Sequence, residues 1–405
     1  MTHFPDMRID IFNEGIGGDT AGLIYQRLDK VFEHEPTVVT LTFGMNDVGY
    51  MDFSKLGADS IALKRLDKTF MDYQQIEKAY SNYKKADKIL IGSSPYDETS
   101  RFNKVPFPKK NAWIQQVGAF LENESKRNQW GFVDFNQPMI DINIREQASD
   151  STFTLCGSDR IHPTADGHFV MAYLFLKAQG FSGNPVADIQ IDAKRKVVEK
   201  ADNCHISELA VDSNHVSFLY KANALPYPVS EVAYENEKRI QADALKVIPF
   251  MDEINYEGLC VKGLSDGYYN LKINDIIIHR FTAQELSRGV NMAGLKNTPQ
   301  YRKAVKIMEM NEKRWLKERQ MREFFWVEYN LMRKTDMLWA CNEAAVDTLR
   351  KYAPHDIFLR GNGEFWLKFR SKGIREDCVK EQQELISKIY DMNKPETLKI
   401  IITKL

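Results

Sequence analysis

The chain is poor in the features that would fix a compartment, a metal or a cofactor at sight. Five cysteines among 405 residues, Cys156, Cys204, Cys260, Cys341 and Cys378, form no C-x-x-C pair. That excludes a dense disulfide framework and a cysteine-rich zinc site. No apolar run is long enough to span a bilayer, and residues 1–10 lack the apolar centre of a secretory leader. Fifty-five Lys and Arg stand against 56 Asp and Glu, a net charge of −1. Bulk charge therefore announces no polyanion-binding face, and nucleic acid is not an expected partner. Asp47 and Asp52 lie close in sequence, but no His or carboxylate cluster joins them, so neither metal nor cofactor is expected. No internal repeat is visible.

What is present is an alternation of strand and helix. Residues 8–12 (RIDIF) read as a short strand, and Asp19 or Thr20 can cap a helix running through Leu28 and Phe32. Residues 37–43 (TVVTLTF) are β-branched and nearly continuously apolar, the mark of a strand covered on both faces. Further on, 70–85 reads as helix, 88–91 as strand, 111–127 as helix, 131–134 as strand and 165–179 as helix. Short links between such elements predict a doubly wound parallel sheet with right-handed crossovers. Gly44 lets the chain turn, so Asn46 and Asp47 fall at the carboxyl end of a strand, where open α/β sheets place ligands.

Residues 180–185 (GFSGNP) break the pattern, so the first domain is read as 1–182. Residues 183–285 read as a small β-rich module. Strands at 216–221, 258–261 and 268–273 are followed by a hairpin at Asn274-Asp275, with a polar helical stretch near 232–244. A packing role for this module is the plainer reading and glycan binding the sharper one. Thr282 and Glu285 fit a capping box, and 286–405 reads as mainly helical. Its aromatic stripe, Trp315, Phe324, Phe325, Trp326 and Trp339, is read first as a buried helix face and second as the wall of a sugar cleft. The tail adds an amphipathic helix and a short strand at 398–403.

The chemistry concentrates at residues 155–168, LCGSDRIHPTADGH. Asp159 and His162 stand three apart, and Pro163 keeps His162 out of the α region, so the pair is expected on a turn just before a helix. A carboxylate beside an imidazole fixes its tautomer and stabilises its protonated form, the base half of a hydrolytic site. By itself D-x-x-H is a common capping-loop pattern. Cys156 is read as a buried or loop thiol rather than a nucleophile. Ser93 and Ser94 end a strand, but Pro95 and Tyr96 follow and no nucleophile elbow is formed. His168 and His205 are read as structural.

Two further stretches change the weight of that pair. Residues 13–20 (NEGIGGDT) and 41–49 (LTFGMNDVG), together with SDRIH, resemble in order and type the second, third and fifth blocks of the SGNH/GDSL hydrolases. The resemblance covers roughly residues 4–180. It implies that Gly18 (backbone N–H) and Asn46 (side-chain amide) form the oxyanion hole, and that Asp159 and His162 are acid and base. It also implies a flavodoxin-like doubly wound sheet whose first strand carries a Gly-Asp-Ser nucleophile. No Gly-Asp-Ser stands in residues 1–13. The serine is accordingly expected upstream of Met1, no residue of this chain is assigned as nucleophile, and a gap of about twice the ~4.8 Å inter-strand spacing is expected between 8–12 and 37–43.

The activity so implied is hydrolysis of an acyl ester, with a carbohydrate O-acetyl group as expected substrate. The alternative is an inactive relative that binds glycan or serves as a scaffold. Keeping base, acid and both oxyanion donors together favours the enzyme. If a leader was lost with the first block, the protein is exported to the periplasm or the extracellular space; otherwise the compartment stays open.

Overall fold

Three strands organise the region that carries the matched blocks. In the computed structural model, which describes residues 1–101, 106–233 and 238–405, Val38–Phe43 (β1), Asp87–Gly92 (β2) and Gly131–Asp134 (β3) form a parallel sheet in that order. The helices of this region are Ala21–Tyr25 (α1), Leu28–Glu33 (α2), Ala58–Asn82 (α3), Lys110–Asn128 (α4), Asn136–Gln147 (α5) and Ala165–Ala178 (α6). Val39, Leu41 and Phe43 join Leu90, with Leu66, Tyr73 and Ile76 of α3 and Ile114, Val117 and Leu121 of α4, in one buried cluster. Strand alternation sends Ile89 and Ile91 to the opposite face, where they too are buried. On that same face β1 is bare, with Val38, Thr40 and Thr42 all exposed.

Two expectations are thereby corrected. The strand at 37–43 is covered on one face only, because among the described residues β2 is its sole neighbour and nothing lies over Thr40 and Thr42. Residues 8–12 form no strand. The Tyr390 hydroxyl accepts from the Ile9 N–H at 2.6 Å and donates to the Ile9 carbonyl at 3.0 Å, so side-chain bonds replace a ladder there. The expected gap between two strands thus has only one strand to define it.

The chain divides into two compact units, Ile11–Ser182 with Val229–Phe250, and Met1–Asp10 with Gly183–Pro228 and Met251–Leu405. The β-rich and helical stretches that the sequence reading separates at 285 thus share one unit. The reason is the C-terminal strand Leu398–Lys404 (β12). It enters the middle of a five-stranded sheet with Cys204–Val211 (β6), His215–Ala222 (β7), Tyr268–Ile273 (β9) and Ile276–Thr282 (β10), in the order β10-β9-β12-β7-β6. A second sheet, Val290–Asn291 (β11), Glu257–Lys262 (β8), Ala187–Asp192 (β4) and Val197–Asp202 (β5), shares its core. The polar stretch expected near 232–244 includes 234–237, which lie outside the described residues; a short 3-10 helix follows at Gln241–Lys246.

The helical part of this unit is built on the long helix Pro299–Val327, whose first turn is capped by the Thr298 hydroxyl accepting from Tyr301 N–H. It ends in a π turn, Glu328–Met332, at which buried Glu328 accepts from Trp366 Nε1 and from Trp339 N–H, each at 2.8 Å. Phe324 of the expected stripe is fully buried with Trp366 and Phe369, while Phe325 and Trp326 pack at the margin of that core. Trp339 stays 43% exposed. No described helix is long and apolar enough to cross a membrane.

Candidate active site

The turn at 155–164 is held from three directions. Gly157 N–H donates to the His162 carbonyl at 2.7 Å, and Arg160, left-handed at φ +69°, donates its N–H to Gly157 at 2.8 Å. The Arg160 guanidinium is buried and its Nη1 donates to the carbonyls of Asp97 and Ser100 at 3.0 and 2.9 Å, fastening the turn to the loop after β2. The Leu155 carbonyl accepts from Thr164 N–H at 3.0 Å and comes so close to α6 that a Cβ on Gly167 would sit 2.0 Å from it. Only glycine fits there.

On this frame Asp159 Oδ2 meets His162 Nδ1 at 2.5 Å, while Oδ1 accepts from the N–H groups of Ile161 and His162 at 2.9 and 3.1 Å. Burial pushes the Asp159 carboxyl up, but these hydrogen bonds outweigh it and pull it down to about 2. The bond to Asp159 in turn raises His162 against the opposing effect of burial. With Nδ1 engaged and the side chain 80% exposed, Nε2 is the nitrogen left to take a proton.

Asn46 lies in the turn that follows β1. Gly44 takes φ +128°, and Val48 N–H and Gly49 N–H close the turn on the carbonyls of Gly44 and Asn46, both at 3.1 Å. Buried Asp47 is its tether: Oδ2 accepts from Gly44 N–H and Oδ1 from Ala21 N–H, both at 2.9 Å, so one carboxylate ties this turn to the GGDT segment. Burial pushes that carboxyl up, opposed by the backbone bonds. Asn46 Nδ2 donates to the Asp19 carbonyl at 3.1 Å, and its Oδ1 accepts from the Tyr50 hydroxyl at 2.9 Å. This orients the amide and leaves one Nδ2 hydrogen for another acceptor. Gly18 is exposed at φ +89°, with no atom within 4 Å of where a Cβ would stand.

Val48 belongs to the buried cluster that underlies this sheet, and Met45 and Ile161 pack against that cluster. Burial first, then the carboxylates of Asp159 and Asp47, raise the Tyr50 hydroxyl to about 12. Asp47 and Tyr50 are the supports that sequence reasoning missed. The signal for Asp47 is an acid three residues after Gly44, well placed to accept the backbone N–H groups of its own turn. Cys156 is buried, with its thiol pushed up by burial and donating to the Pro95 carbonyl at 3.4 Å. Ser93 Oγ donates to the Ser94 carbonyl. Among the described residues no three His, Cys, Asp or Glu side chains gather as a metal site would need.

An exposed imidazole held by a carboxylate can take a proton from a hydroxyl, and an amide with a hydrogen to spare can steady a developing oxyanion. That is the chemistry of a hydrolase. Comparison with known proteins agrees. Residues 3–169 match the GDSL-like Lipase/Acylhydrolase family, and residues 305–394 match the Diltiazem deacetylase C-terminal helical domain. A solved gut microbial diltiazem-metabolizing enzyme is 41% identical over 100% of this chain and 92% of its own, with a TM-score of 0.96. A catalytic mutant of an acetylxylan esterase from Geobacillus stearothermophilus is 20% identical over 42% of this chain and 71% of its own, with a TM-score of 0.33. A GDSL-like lipase from Bacteroides thetaiotaomicron VPI-5482 is 25% identical over 41% and 73%, with a TM-score of 0.29. No curated protein matches the chain. The chain belongs to the SGNH/GDSL hydrolase family of ester-hydrolysing enzymes.

Proposed function

We propose that the protein removes acetyl groups from a small-molecule alcohol by serine catalysis. The observation that carries this is the exposed His162 imidazole held by Asp159, and the Asn46 amide with a hydrogen to spare supports it. A serine hydroxyl attacks the ester carbonyl while His162 Nε2 takes its proton. Gly18 N–H and Asn46 Nδ2 hold the tetrahedral oxyanion, each donor lowering the barrier by roughly 3 kcal/mol. Collapse expels the alcohol, which takes the proton from His162, and water repeats the sequence on the acyl-serine. The choice of acetyl is supported by the whole-chain likeness to a diltiazem-metabolizing enzyme and by the deacetylase domain matched at 305–394. Acetylated carbohydrate is the competing substrate class.

The serine belongs, in this reading, to a Gly-Asp-Ser segment outside Met1–Leu405 whose strand pairs with the free edge of β1. Support comes from β1 itself, an apolar strand that has one ladder partner among the described residues. The test is aryl acetate hydrolysis. Met1–Leu405 alone is expected barely above background, and a Gly-Asp-Ser segment placed ahead of Met1 is expected to raise kcat by on the order of 10⁶, a gain that His162→Ala removes. Robust turnover by Met1–Leu405 that Ser94→Ala or Cys156→Ala abolishes would overturn the reading. Relative kcat/KM on an acetylated drug of the diltiazem kind and on an acetylated xylooligosaccharide decides the substrate class.

A further inference from the structure

Lys110 opens α4 and has no exposed surface. Its Nζ donates to the carbonyls of Met45 at 3.0 Å and Gly49 at 2.5 Å, which bracket Asn46 in the chain. The same nitrogen lies 3.8 Å from the centre of the Tyr50 ring, with the rings of Phe53 and Tyr96 each 5.7 Å away. Among the described residues no carboxylate forms an ion pair with it. Burial, and then the Arg65 guanidinium, pull its ammonium down to about 7.

Nothing in the helix requires a lysine here. Glu98 already satisfies the start of α4, its carboxylate accepting from Lys109 N–H at 3.0 Å and Asn111 N–H at 2.7 Å. An aromatic pocket would be filled as well by methionine, without the cost of a buried charge. What the ammonium adds is direction. It draws the carbonyls on either side of Asn46 inward and steadies the ring whose hydroxyl holds the Asn46 amide.

We propose that Lys110 is a positioning residue for ester hydrolysis, fixing the turn at 45–50 from inside the core and, through Tyr50, aiming the Asn46 amide at the oxyanion. This rests on Asn46 being an oxyanion donor, which the experiment tests separately. In the enzyme carrying its Gly-Asp-Ser segment, Lys110→Met is expected to lower kcat on an aryl acetate about tenfold, with KM within about twofold and no loss in melting temperature. Tyr50→Phe, which keeps the ring under the ammonium, is expected to lower kcat at least about threefold with KM likewise unchanged. In an Asn46→Ala background, itself expected to be down about 10²–10³, Lys110→Met should change kcat by less than about twofold, because its route of action is gone. A tenfold fall repeated in that background, or full kcat in both Lys110→Met and Tyr50→Phe, overturns the proposal. Full kcat in Asn46→Ala alone would instead overturn the oxyanion reading beneath it.

Discussion

β1 and β12 are strands of similar length and apolar character with opposite surroundings. β12 lies between β7 and β9, with Leu398, Ile400 and Ile402 buried against both sheets of its core. Among the described residues β1 has a ladder partner on one side only, and its second face leaves Val38 49% exposed. An apolar strand in a sequence records which faces it is suited to cover, whereas coverage itself depends on a partner that can lie anywhere in the chain or outside it. The open strand is the one whose carboxyl end carries the Asn46 turn.

The largest expected effect belongs to the site beside the open sheet. Asp159→Asn removes the acceptor on His162 Nδ1 and is expected to lower kcat by about 10³–10⁴, measured on an aryl acetate with the Gly-Asp-Ser segment present. The same variant changes the pH profile. His162 must be neutral to act as base, and Asp159 raises its pKa, so kcat/KM should rise through a pH above the ordinary ~6.5, and Asp159→Asn should shift that limb downward. A limb that stays in place would mean another group titrates.

Stability sharpens the contrast between the two strands. Ile402→Ala, in a fully buried position of β12, is expected to cost about 2–5 kcal/mol by chemical denaturation. Val38→Ala in Met1–Leu405 should stay within about 0.5 kcal/mol, as at a surface site. Equal costs would show that the bare face of β1 is covered in solution, and the comparison would fail. The smallest effect comes from acid. Asp159 has a lowered pKa, so its contribution is present above the unfolded value near ~3.9 and is lost as pH falls through about 2. Asp159→Asn should flatten the stability curve in that window and also remove the stability that His162, raised by Asp159, loses as pH climbs through its folded pKa.

Much of the site's local frame was legible in the sequence because its signals are local. Pro163 after His162 marked the turn, and Ala165 does begin the helix that follows it. Gly44 after an apolar run marked the reversal that carries Asn46. What escaped was non-local. Residues 8–12 alternate like a strand yet bond to Tyr390, far along the chain, and 398–403 read as a short tail strand although it completes a sheet begun near Cys204. Lys110 sits in Lys109-Lys110-Asn111, which resembles any solvated charge pair. Only the fold reveals that one of the two lysines points inward to the carbonyls of Met45 and Gly49.

Whether this acid–base pair serves a serine seated beside β1 can be read by active-site labelling. The enzyme with its Gly-Asp-Ser segment would be treated with a fluorophosphonate and the adduct located by mass spectrometry. The account predicts a single adduct on the serine of that segment, lost in His162→Ala. An adduct on Ser93, Ser94 or Cys156 that depends on His162 would contradict it.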